Sequence, residues 1–220
     1  MDPAARASRR VSAHRKIVVE AFVRAPVEDV WRRTQEPAEH VRWDLRFDEI
    51  AFVDGVDERG FHAMEYRTSI GFGIAIRGVG RYRHSTPLAH SSFEFDSNDW
   101  KSLIRGGTGL WLYEPMAGGT YFKTVFDYEP RFGIPGALVD RFLFRPIFRL
   151  ATEWSFETLR LWCEGDAAAP ARRRSRTRFL LFVAFGTSEG ARSWLGSGRE
   201  TSRIAQVVAT ASPSSREPSR

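Results

Sequence analysis

The chain has 220 residues, of which 42% are hydrophobic, 13% aromatic and 27% charged, the composition of a globular protein with enough apolar material for a core. Its formal charge of +6 suggests nucleic acid, but the distribution argues against a folded basic surface: residues 1–165 hold 23 Lys+Arg against 23 Asp+Glu, and residues 166–220 hold 10 against 4. A single cysteine, Cys163, excludes an intramolecular disulfide and agrees with a cytoplasmic location.

The first fourteen residues are basic but lack the apolar stretch of a signal peptide, and read as a disordered leader. Lys16 to Arg24 is rich in β-branched residues and predicts a strand. Pro26 ends it and can sit in the first turn of a short helix with Glu28 and Asp29 at its positive end. Pro37 opens a second short helix that ends near Trp43. Strands follow over 45–53, 61–69, 72–84, 89–96, 101–114 and 120–129, separated by Asp54-Gly55, Ile70-Gly71, Pro87 and the hairpin turn Met116–Gly119, with a bulge expected near Gly106-Gly107. In the third of these, Ile74, Ile76, Gly78, Gly80 and Tyr82 alternate with Arg77, Arg81 and Arg83. Two glycines on one face either bend the sheet or leave room for a ligand.

Ile134 to Glu164 is the longest stretch with helical character. Phe142, Leu143, Phe144, Ile147, Phe148, Leu150, Trp154, Phe156, Leu159, Leu161 and Trp162 exceed what one stripe of a surface helix holds. Pro146 is expected to kink the helix or divide it. Past Gly165 the composition shifts to Ala, Arg and Ser, which predicts a basic disordered tail over 166–220. Within it Phe179–Gly186 is an apolar island. It is far short of the roughly 20 residues of a membrane span, and either docks back, has no role, or weakly touches an anionic membrane surface beside the basic run Arg172–Arg178.

The order strand, two short helices, about six further strands and a long helix is antiparallel α+β. The strand-turn-helix IVVEAFVRAPVEDVW, Trp43, the hairpin LWLYEPMAGGTYFKTVFDYEP and the terminal LRLWCEG resemble the START/Bet v 1-like (SRPBCC) superfamily, and within it the polyketide cyclase/dehydrase and lipid-transport group. The resemblance implies a helix-grip fold over residues 15–165, in which a curved antiparallel sheet of about seven strands wraps on a long C-terminal helix. It also implies a hydrophobic cavity between sheet and helix for a lipid, polyketide or aromatic compound, and in some members a cyclase or dehydratase activity.

The residues expected to line that cavity are Tyr66, Ile76, Gly78, Gly80, Tyr82, Phe93, Phe95, Trp111, Tyr113, Phe122, Phe126 and Tyr128 from the strands, with Leu143, Ile147, Leu150 and Trp154 from the helix. The same aromatics can equally be a filled core. His62 and Tyr66 share a strand face and could orient a polar group or act as acid and base. Arg105, beside the expected bulge, could hold a carboxylate or enolate. Each is also an ordinary strand-end or surface residue. No phosphate loop, metal-ligand spacing or nucleophile motif is present, so no cofactor or metal and no nucleic acid is expected. The partner expected is a small hydrophobic molecule. The functional classes left are a binding module, an enzyme, or an interaction protein using the apolar outer side of the last helix, with Phe144, Phe148 and Trp162.

Overall fold

A computed structural model describes residues 16–56, 58, 60–71 and 74–185. The leader 1–14 and the end of the tail, 186–220, lie outside the described residues. Seven strands, β1 (Ile17–Val23), β2 (Glu49–Phe52), β3 (Ala63–Gly71), β4 (Ile74–Thr86), β5 (His90–Asp96), β6 (Ile104–Met116) and β7 (Gly119–Pro130), form one antiparallel sheet in the order β1-β7-β6-β5-β4-β3-β2. Between β1 and β2 lie the short helices α1 (Val27–Gln35) and α2 (Pro37–Trp43), and Trp43 Nε1 closes α2 onto α1 by donating to the Arg33 carbonyl at 2.8 Å.

Directly paired residues of an antiparallel sheet share a face. The pairs Tyr66–Gly78, Gly80–Phe95, Tyr82–Phe93, Phe93–Gly109, Gly109–Phe126 and Phe126–Ile17 therefore trace one inner face across six strands. This is the face expected from the alternation. The β6–β7 hairpin turns at Ala117-Gly118, where Gly118 has φ +83°, a conformation that only glycine adopts without strain. The β6 register shifts between Ile104 and Gly106, just before the glycine pair where a bulge was expected.

The long terminal element comprises α3 (Gly133–Val139), a π-helical segment (Asp140–Phe144) and α4 (Arg145–Cys163). Pro146 stands in the first turn of α4, where its missing N–H costs nothing extra, and the change of helical type falls just before it. The helix therefore divides at 144/145, beside the proline.

The tail expectation needs correction. Residues 166–185 are not a disordered linker: α5 (Ala169–Arg173) and α6 (Arg176–Phe185) fold back onto α4. Trp154 makes the joint. Its Nε1 donates to the Arg173 carbonyl at 2.9 Å, the Arg173 guanidinium lies 3.9 Å from the centre of its ring system, and Phe179 and Phe182 pack on it at 5.9 and 5.2 Å. This accounts for the surplus apolar surface of α4. One stripe, with Phe148, Phe156, Leu159 and Trp162, joins the core under the sheet with Phe144 beside it, so the Phe144, Phe148 and Trp162 expected on an outer contact side face inward instead. A second, with Ile147, Leu150, Ala151 and Trp154, joins Leu45, Phe179, Phe182 and Val183 in a separate cluster.

Candidate functional site

The large side chains of the inner face differ in burial between its two halves. On β1, β7 and β6 the side chains of Ile17, Val19, Phe122, Phe126, Tyr128, Trp111 and Tyr113 are at most 6% exposed. Phe122 stacks on Phe156 of α4 at 4.7 Å with rings 11° from parallel, so this half is sealed core. On β5, β4 and β3 the inner residues Phe93, Phe95, Tyr82, Ile76, Met64 and Tyr66 are only half-buried. The long helix runs along β1 and covers one side of the concave surface. The half-buried aromatics of β5, β4 and β3 lie on the other side.

This difference divides the residues expected to line a cavity. Trp111, Tyr113, Phe122, Phe126 and Tyr128 are core. Tyr66, Ile76, Tyr82, Phe93 and Phe95 border the open half. The helical members are not on this surface. Ile147, Leu150 and Trp154 face α6 in the second cluster, and Leu143 is exposed on the outside of the π segment. The physical reason is that α4 has two apolar stripes, and sequence periodicity does not say which of them the sheet takes.

The glycines also differ from a simple opening. The Tyr66 ring lies over Gly78, where an added Cβ would overlap it, and the rings of Phe95 and Phe93 cover Gly107 and Gly109 in the same way. Gly80 has only the Met64 Cε at 3.5 Å and the Glu94 carbonyl oxygen at 3.8 Å.

The candidate polar residues His62, Tyr66 and Arg105 are not brought together. His62 is exposed before the start of β3, against Phe52 at 5.3 Å. The Tyr66 hydroxyl donates to the Asp96 carbonyl at 3.1 Å, and burial pushes its phenol well above the usual range, with the Asp96 charge adding to the effect. Arg105 is exposed at the register shift of β6.

A polar cluster that the residue pattern did not reveal sits between sheet and helix. Asp44 caps the end of α2 and is fully buried. Its Oδ1 accepts from the Arg46 backbone N–H at 3.0 Å, an Asx-type turn that aims the next side chains inward. Arg46 Nε donates to Oδ1 at 2.9 Å, and Nη2 to Oδ2 at 2.6 Å. From α2, His40 Nε2 bonds Oδ2 at 3.1 Å while its ring stacks on Trp43. From α4, the Ser155 hydroxyl lies 3.2 Å from Oδ1 and accepts the Leu45 N–H, and Thr152 Oγ1 accepts from Arg46 Nη1 at 3.2 Å. Burial alone would raise the Asp44 carboxyl, but the Arg46 charge and the bonds from Arg46 and His40 outweigh it and hold the group far below the ordinary carboxylate range. The Arg46 guanidinium is walled by the rings of Phe47, Phe126 and Phe148 at 5.5–5.7 Å. The only sequence signal for this cluster was an Asp and an Arg two residues apart beside a Trp, a spacing that occurs in many surface turns.

A trough of about 980 Å³ opens on the outer face of β2 to β6. Glu49, Glu65, Arg67, Arg77, Arg81 and Glu94 line it together with Ala51, Val79, Tyr66 and Phe95, so charges of both signs border apolar and aromatic surface. Among the described residues no group of three or more His, Cys, Asp or Glu could hold a metal, and no helix is long and apolar enough to cross a membrane.

A seven-stranded curved sheet gripping a long helix, with two short helices after β1, is the helix-grip fold of the START/Bet v 1-like (SRPBCC) superfamily, and the chain has that fold. Comparison with known proteins gives its particular likenesses. The chain is 36% identical to the uncharacterized membrane protein YndG of Bacillus subtilis (strain 168) over 176 residues, covering 77% of this chain and 65% of that protein, less than two thirds of its length. Protein CV1439 from Chromobacterium violaceum superposes with a TM-score of 0.51 at 19% identity, over 69% of this chain and 98% of that one. TTHA0849 from Thermus thermophilus does so with a TM-score of 0.50 at 16% identity, over 73% and 97%. At these identities the two structures share the fold alone. No protein-family model matches the chain.

Proposed function

We propose that the protein holds a small hydrophobic molecule in the cleft between the open half of the sheet and α4. The observation that carries this reading is the burial difference: the same inner face that is sealed core on β1, β7 and β6 presents half-buried aromatics on β5, β4 and β3. An apolar concave surface with few polar groups is the usual form of a small-molecule site. No observation favours a cyclase or dehydratase built on His62, Tyr66 and Arg105, because no two of them share a bond or a common space. The test is titration with 1,6-diphenylhexatriene, a hydrocarbon whose fluorescence rises in apolar surroundings. Saturable binding of one probe per chain is expected, weakened at least tenfold in Gly80→Leu with the circular dichroism unchanged. Linear, non-saturating fluorescence, together with no co-purifying compound in native mass spectra, refutes the reading.

A second reading rests on a separate surface. Ile134 is 79% exposed and Phe142 72%, and Phe132, Leu138, Val139 and Leu143 are exposed with them on α3, its N-cap and the π segment. Contiguous exposed apolar side chains of this size mark a contact surface. The relative's designation as a membrane protein and the exposed Arg172, Arg174 and Arg178 support peripheral contact with an anionic lipid surface. Co-sedimentation with phosphatidylglycerol vesicles, reduced in Phe142→Ser, is expected. Equal recovery of both proteins in the supernatant refutes it.

A further inference from the structure

The β4–β5 ladder breaks register near its turn. Tyr82 pairs with Phe93 on the inner face, but the next pair is His84–Ser92, and Arg83 is left over as a bulge. Simple alternation from Tyr82 would turn His84 inward. The extra residue turns it to the outer face instead, in line with Thr86 and its cross-strand partner His90. The turn beyond is fixed from several sides. The Ala89 N–H donates to the Thr86 carbonyl at 3.1 Å, and the Tyr113 N–H donates to the Ala89 carbonyl at 2.8 Å. Leu88 holds φ +63°, a costly conformation for leucine, while its side chain packs on the main core.

This frame sets two imidazoles face to face, with ring centres 5.1 Å apart and planes 30° from parallel. Both Nε2 atoms turn to one point: the Thr86 hydroxyl oxygen lies 3.5 Å from that of His84 and 3.4 Å from that of His90. These distances are long for hydrogen bonds, so the hydroxyl holds neither nitrogen firmly. His84 and Thr86 are exposed and His90 is half-buried, so an ion can reach the pair from solvent. The adjacent cation, Arg83, donates from Nε to Glu94 Oε2 at 2.5 Å, and this pairing reduces its repulsion of a positive ion.

Neutral imidazole suits zinc, nickel and copper, whereas magnesium and calcium take oxygen ligands. Zinc–nitrogen bonds of about 2.0–2.1 Å at a tetrahedral angle place two nitrogens about 3.3 Å apart. Rotation of the two side chains on a fixed backbone draws nitrogens aimed at one oxygen toward that spacing. We propose that His84 and His90 form a two-histidine site for a divalent transition metal ion of the zinc, nickel and copper group, with the Thr86 hydroxyl and water in the remaining positions. The site lies on the face of the sheet opposite the proposed cleft and does not depend on it. A metal bound there ties β4 to β5 beside the bulge.

The full-length protein is titrated calorimetrically with zinc chloride, with magnesium chloride as the control. One zinc ion per chain and no response to magnesium are expected. His84→Gln and His90→Gln should each weaken zinc binding at least tenfold, and His14→Gln/His62→Gln should leave it unchanged. Zinc should raise the melting temperature of the wild type but not that of His84→Gln/His90→Gln, whose circular dichroism without metal should match the wild type. A measurement on the wild type alone guards against a variant that misfolds: bound copper(II) should show two coordinated imidazole nitrogens by electron spin resonance. No saturable zinc binding by the wild type up to about 1 mM overturns the proposal. So does zinc affinity retained in a folded His84→Gln/His90→Gln, or a copper spectrum without two imidazole nitrogens.

Discussion

Replacing Asp44 by alanine removes the acceptor for Arg46 Nε, Arg46 Nη2, the Arg46 backbone N–H and His40 in one step. The side chain is fully buried, so water does not replace it freely. Breaking a buried pair by deleting one partner leaves an uncompensated charge, at a cost of about 3–5 kcal/mol. For a chain of this size that is a fall in melting temperature of about 6–20 °C. Urea and thermal unfolding of Asp44→Ala, Arg46→Met and the double variant form a double-mutant cycle. The double variant is expected to be markedly more stable than the sum of the single losses implies, because it leaves neither charge unpaired. If Asp44→Ala costs less than about 1 kcal/mol, or the single losses simply add within about 0.5 kcal/mol, the pair is not the coupled interior element argued above.

Three further outcomes follow from particular contacts. Because the Asp44 carboxyl is held below its ordinary value of 3.8, its stabilisation is complete above that value and is lost progressively below it, as pH falls toward the depressed value of the folded state. Between about pH 6 and about pH 2.5 the urea midpoint of the wild type should fall more steeply below about pH 4 than that of Asp44→Asn/Arg46→Met, and parallel curves would contradict the assignment. Phe179 is 5% exposed against Trp154, and its truncation should undock α6 at a loss of up to about 3 kcal/mol. Trypsin should then cut at Arg174, Arg176 and Arg178 faster than in the wild type, and equal cleavage rates would mean that α6 is not held there. An added Cβ at Gly107 would overlap the Asp127 carbonyl oxygen, which is backbone and cannot swing aside, whereas at Gly80 its nearest neighbour is the flexible Met64 methyl at 3.5 Å. Gly107→Ala should therefore cost about 1–3 kcal/mol and Gly80→Ala less than about 0.5 kcal/mol in urea unfolding, and equal losses would refute the contrast.

Most of the sheet was legible because a strand facing water on one side writes its burial as alternation. Tyr128, Phe126 and Phe122 fall at even spacings along one strand, as do Tyr82, Gly80 and Gly78 along another, and all lie on the inner face. The helix was legible as a helix, but not in orientation. Its length and apolar excess announced burial on more than one side, and Ile147, Leu150 and Trp154 satisfy either the sheet or another partner equally well by periodicity. The partner proved to be α6, in a stretch whose arginines and serines read locally as disorder. Local composition is a poor guide there, because the stability of a short helix comes from the surface it docks on.

Element order, the inner face of the sheet, the concentration of positive charge past Gly165 and the likeness to the helix-grip proteins are all legible in the residues. These are properties of neighbouring residues, set by the period of two in strands, the turn demands of glycine and proline, and composition. Packing of distant segments is what sets the Phe93, Phe95 and Tyr66 rings in the space beside the glycines and brings Asp44, Arg46 and His40 to Thr152 and Ser155 more than a hundred positions away. Those facts depend on where α4 crosses a curved sheet and on which of its two stripes faces inward. Packing across distant segments settles both, and no local pattern encodes them.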